Sequence, residues 1–290
     1  MGSFSTDINK GHEKWDSKFF RLLNSTLAFC IAYMIVSYSC FLCMGLAAKI
    51  FNYQSDIFYH SIKFFLHQKE WRRLSVLLIF SAPVVVMVFM GLLAMFLNYK
   101  LRKLPLNFNL IFIWIFVIGI SMASSQGFIA NMGLGEYDSP FYQNLAIVFS
   151  WLYVPEAAAY AFTFLTLLFF LFFVTRFVKP FLALAYSYSK VNKAARRRKY
   201  FFETAVAPYI IGAFITTYVT FPANMYMHII YLVTIGIALF LGWAALLYID
   251  IEQDFVYKYK KLQKIDYFII ALFGALLALV FTVGFKGFIM

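Results

Sequence analysis

The sequence predicts an all-α fold: a polytopic transmembrane helix bundle of seven spans, with one amphipathic helix on its surface. Three observations predict it. Long stretches carry no Asp, Glu, Lys or Arg, the longest being 204–249. A charge at the bilayer centre costs about 2.5–3.5 kcal/mol on insertion scales, while each Leu, Ile or Phe gains a few tenths, so such runs belong in lipid. The composition agrees, with 63% hydrophobic and 13% charged residues, against about 25% charged in soluble domains. Finally, the basic residues gather in short stretches between the apolar runs. Helices follow because backbone groups in lipid must be paired within the chain.

The elements follow in order, within a single integral membrane domain over 1–290. Residues 1–19 form a polar tail. The apolar run after it is too long for a signal-peptide core, so it is expected to stay as the first span. Crossing hydrocarbon takes about 20 residues, and charge-free stretches of that order lie at 22–48, 74–99, 104–135, 157–175, 204–249 and 267–285. The fifth is too long for one helix. Its Pro222-Ala223-Asn224 break marks a tight hairpin, which gives seven spans, or six if 206–221 is re-entrant.

Lys100, Arg102 and Lys103 follow span two, a run from Arg176 to Lys199 follows span four, and Lys258 to Lys264 follow span six. With seven spans all three fall on one side, which the positive-inside rule makes the cytoplasm. The basic loop 178–205 and the loop 250–266 are then cytoplasmic. The N-terminus is inside and the C-terminus outside, in a plasma (inner) membrane. Segment 52–73 lies outside despite Lys63, Lys69, Arg72 and Arg73. Phe58, Ile62, Phe65 and Leu66 recur in it at helical spacing, which predicts an amphipathic surface helix.

The formal net charge of +12 would suit nucleic acid, but its placement is that of membrane loops, and no nucleic-acid partner is expected. Cys30, Cys40 and Cys43 fall within the first span and read as small apolar residues. His60 and His67, seven apart, are too far along a helix to chelate one ion. No phosphate loop, dinucleotide fingerprint, calcium loop or zinc motif occurs. Neither a metal nor a cofactor is expected.

Candidate chemistry rests on a few polar residues. Ser121, Ser125, Gln126 and Asn131 mark span three. Such residues mediate helix packing or, with Glu156 and His228, line a polar pocket. Glu156 follows Pro155 and opens a span, where a carboxylate complements the helix dipole. His228 follows the Pro222 turn. Arg196, Arg197, Arg198 and Lys199 form a polybasic run beside the membrane, expected to contact anionic lipid headgroups or a partner. The hairpin 204–249 lacks ionisable groups other than this histidine and its tyrosines, which directs the search for chemistry to span three and Glu156.

Three functions fit. The sequence favours a non-catalytic, membrane-embedded subunit or scaffold, with other membrane subunits as partners. A permease for a lipidic, aromatic or weakly polar substrate is the alternative, and an intramembrane or interfacial enzyme the third.

Overall fold

The computed structural model describes residues 4–58, 61–101, 105–185, 187–220, 225–249, 267–284 and 288–289, with side chains from Lys18 onward except at 68, 220, 283–284 and 288–289. The Pro222–Asn224 break, the loop 250–266, His60 and Lys286 lie outside the described residues.

The chain is a helical bundle. Helix α1 runs Phe4–Ile50, so the polar tail is helical from Phe4 and continuous with the first span. It stops where Asn52 takes a left-handed φ of 58°, a conformation Asn tolerates better than most residues. Helices α2 (Arg73–Lys100), α3 (Leu106–Gly133) and α5 (Glu156–Ala183) follow, with the short α4 (Leu145–Trp151) between the last two. The chain continues through α6 (Ala194–Phe201), α7 (Ala207–Thr220), α8 (Met225–Ala245) and α9 (Tyr267–Gly284). Six helices among the described residues are long and apolar enough to cross a membrane, and α9 is a shorter apolar helix.

Two expectations are corrected. Segment 52–73 is not an amphipathic helix. It forms a hairpin of β1 (Ser55–Ile57) and β2 (Ile62–Phe64), then a 3-10 turn at Gln68–Glu70. Strand β3 (Phe288–Ile289) pairs antiparallel with β1, Asp56 opposite Ile289, and completes a three-stranded sheet in the order β2-β1-β3. The helical spacing is a coincidence of scattered apolar residues. Phe64 instead meets Trp71 and Phe80 edge to face or nearly so, seating the hairpin on the end of α2.

The basic loop 178–205 is also largely helical. Helix α5 extends to Ala183, and α6 joins α7 through a π-turn at Phe202–Val206. The joined helix offers an apolar span over Ala194–Val219. Residues 206–221 therefore look too short for a span only when α6 is read as loop. Lys and Arg are good helix formers, and charge alone mistook them for loop.

Helix α3 is the central post. Of its most apolar 18-residue stretch 83% is buried, against 28% for α2 and 22% for α5. Gly119 lets α2 approach: a Cβ there would stand 2.6 Å from the carbonyl oxygen of Met87. Trp114 is fully buried against Phe29 and Phe181, and its Nε1 donates to Ser25 Oγ on α1 at 3.1 Å. Ser25 in turn donates to the Thr204 carbonyl in the π-turn at 2.6 Å. Beside it Arg21 Nη2 meets Glu203 Oε2 at 3.2 Å, and Lys18 lies 3.8 Å from the same carboxylate. These contacts tie α1, α3 and the π-turn before α7 together at the end of the bundle opposite the sheet.

Candidate functional site

A cavity of about 370 Å³ opens between α1, α2, α3 and α8, beneath the sheet. Ser61, Ile62 and Phe64 form its roof, Tyr33 and Met122 reach into the middle of their helices, and Gln143 and Asn144 enter from the connection before α4. Among the described residues, its lining contains no Asp, Glu, Lys or Arg. Met34, Met44, Met87, Met122 and Met227 give it an adaptable apolar wall, since Met side chains are unbranched and polarisable.

The polar groups of this wall are mostly engaged. His228 lies on the first turn of α8, with Tyr33 Oη 2.6 Å from Nδ1 and Thr217 Oγ1 3.0 Å from Nε2. Thr217 gives its single hydroxyl hydrogen to the Ala213 carbonyl at 2.8 Å. It must therefore accept from Nε2–H, which leaves Nδ1 bare to accept from Tyr33. The result is a one-way chain, Tyr33 to His228 to Thr217 to the Ala213 carbonyl, that holds a neutral imidazole in one tautomer. Cys40, also on the wall, donates to the Pro83 carbonyl at 3.7 Å.

A second polar group centres on Tyr231. Gln126 Nε2 donates to its hydroxyl at 2.8 Å. Asn144, which lines the same cavity, sits at φ 45° and ψ −114°. Such backbone is costly for a residue with a Cβ, and strained positions of this kind gather at ligand clamps.

Of the residues singled out from sequence as a polar pocket, only His228 lines the cavity. Gln126 stands one hydrogen bond behind it. Ser125 donates to the Met122 carbonyl at 2.7 Å within its own helix. Ser121 is fully buried, and its Oγ has no partner among the described residues. Asn131 donates to the Ala159 carbonyl at 3.1 Å and to Thr163 Oγ1, fastening α3 to α5. Glu156 is exposed in the first turn of α5, away from the cavity. The polar face of span three is thus shared among helices, and the expected cluster with Glu156 does not form. The cavity draws instead on the 204–249 hairpin that seemed poor ground for chemistry.

The polybasic run divides as well. Arg197 is buried and donates from Nη1 to the Asn192 carbonyl at 3.0 Å and the Val191 carbonyl at 3.4 Å, closing the turn before α6. Arg198 stacks its guanidinium 3.6 Å from the centroid of Trp243. Arg196 donates to the Ser189 carbonyl at 2.8 Å but stays exposed, as does Lys199.

Tyr33, Ser37, Tyr231, Gln143 and Asn144 were not anticipated. Tyr33 and Tyr231 did carry a signal, since both stand well inside apolar runs rather than at their ends. A phenol hydroxyl at that depth must find a partner.

Among the described residues, no group of three or more His, Cys, Asp or Glu could hold a metal ion. In comparisons with known proteins, no family model matches the chain, and no curated protein and no solved structure is detectably similar.

Proposed function

We propose that this membrane protein is a permease for a neutral, largely apolar substrate, which it takes into the cavity between α1, α2, α3 and α8. The observation that carries the reading is a roofed cavity of about 370 Å³ with no Asp, Glu, Lys or Arg among the described residues of its wall. An ion brought there would lose its hydration with nothing opposite to compensate, at a cost of several kcal/mol. A lipidic, aromatic or weakly polar molecule meets methionines and rings suited to it. The scaffold reading rested on the scarcity of ionisable groups in the spans. A neutral cargo has no need of them, so that scarcity no longer favours a scaffold. The enzyme reading has less support, because Glu156 lies apart from His228 and both ring nitrogens of His228 are engaged.

The pairing of β3 with β1 brings the end of α1 and the strand after α9 to one end of the bundle. This supports an odd number of crossings. We place that end outside, with Arg196, Lys199 and the α2 terminus at Lys100 facing a cytoplasm and anionic headgroups.

Thiol accessibility tests the reading. With Cys30, Cys40 and Cys43 replaced by alanine, Ser37→Cys in oriented proteoliposomes should react with a membrane-impermeant maleimide added to either face. Ser121→Cys, buried outside the cavity, should stay protected. If Ser37→Cys is as inert as Ser121→Cys from both faces, the permease reading fails.

A further inference from the structure

In the cavity wall, the hydroxyl of Tyr231 is oriented by the protein but not satisfied. Tyr33 and His228 lie in a closed chain of donors and acceptors, and Cys40 is taken up by Pro83. Tyr231 differs. Its hydroxyl oxygen receives a hydrogen from Gln126 Nε2 on the α3 side at 2.8 Å. A phenol oxygen that accepts a hydrogen bond still has its own hydrogen to give. No acceptor for it stands among the described residues, and Tyr231 lines the cavity.

The arrangement comes at a cost elsewhere. Gln126 is fully buried, and turning its Nε2 to Tyr231 leaves Oε1 without a partner among the described residues. An unmet buried acceptor is unfavourable by about 1–3 kcal/mol. With Gln126 donating from the α3 side, the hydroxyl hydrogen of Tyr231 turns away from α3, towards the cavity that Tyr231 lines.

We infer that the cavity selects a neutral molecule bearing a hydrogen-bond acceptor oxygen, a ketone or ether in character, which takes the hydroxyl hydrogen of Tyr231 while its apolar body lies along Met34, Met87 and Met122. The inference rests on the permease reading and names the substrate class of the same site. Gln143 and Asn144 complete the polar corner around the oxygen. The apolar remainder of the wall, with Phe41 and Phe80, offers nothing to a second charged or strongly hydrated group.

The test uses the full chain in nanodiscs. Benzophenone is photocrosslinked and the labelled peptides are mapped by mass spectrometry. Two competitors of similar shape, cyclohexyl phenyl ketone and benzylcyclohexane, differ only in the carbonyl. On the native protein the ketone should displace benzophenone from cavity peptides at about tenfold lower concentration than the hydrocarbon, the worth of one buried hydrogen bond. With Tyr231→Phe that advantage should vanish while the hydrocarbon competes as before. Equal competition on the native protein, or an advantage that survives Tyr231→Phe, would overturn the acceptor inference and leave the permease reading standing. Absence of any cavity labelling would remove both. Should Tyr231→Phe not fold, the infrared band of carbonyl-labelled cyclohexyl phenyl ketone serves on the native protein. A shift to lower wavenumber from its position in bare lipid supports the inference, and an unshifted band overturns it.

Discussion

Helices α3 and α5 are each 28 residues long, with mean hydropathy of 2.1 and 2.3 over their best windows, yet one is the core of the bundle and the other its outer wall. Hydropathy places both in the membrane and says nothing about which lies inside. The difference is in the side chains. Helix α3 carries Gly119, Ser121, Ser124, Ser125, Gln126 and Gly127, where backbones approach and hydroxyls bond. Helix α5 presents Tyr160, Phe164, Leu165, Leu168 and Phe172 outward, all well exposed. Between helices in lipid there is little hydrophobic driving force, so close packing and polar contacts sort them.

That contrast can be broken at several points. Trp114→Ala should have the largest effect, about 3–5 kcal/mol of stability, because it empties the centre of the core and frees Ser25. The midpoint of thermal unfolding in mild detergent would show it. Gly119→Val should cost about 1–3 kcal/mol by forcing α2 off α3. The equivalent enlargement at exposed Ala161 on α5 should leave the unfolding midpoint unchanged. If both enlargements were tolerated, the close α2–α3 crossing would be wrong.

The same distinction divides the basic run. Arg197→Ala leaves the Val191 and Asn192 carbonyls without their donor and should cost about 1–3 kcal/mol. Arg196→Ala, at the surface, should stay within about 0.5 kcal/mol. Equal losses measured in parallel melts would contradict the burial of Arg197. Gln126→Leu removes one bond between α3 and α8 and should cost about 0.6–2 kcal/mol. At the bottom of the scale, Phe164→Ala on the lipid face of α5 should barely move the melt. A loss above about 2 kcal/mol there would mean that α5 is covered by protein.

Much of the fold was legible because a single physical quantity, the cost of a charge in lipid, marks the spans. The roof was not. Strands of three residues are too short to show a period of two, and Phe58, Ile62 and Phe65 mimic a helical one. The start of α6 was misread because basic residues were taken as loop, whereas Arg197 closes a turn and Arg198 covers Trp243. At the site, His228 was legible as a lone polar residue beside a turn. Its partner was not, since Tyr33 lies 195 positions away and no local spacing links them. The serines of span three were conspicuous in the sequence because they are polar, yet Ser125 is satisfied within its own helix.

The sheet also sets an order of assembly. Strand β1 leaves the ribosome after the first span, but its neighbour β3 is made only after every other described helix. Throughout synthesis the hairpin therefore has one bare edge, and the chamber below it lacks its finished cover. The sheet can close only after α8 and α9 have been made, so the roof is among the last parts of the described fold to form.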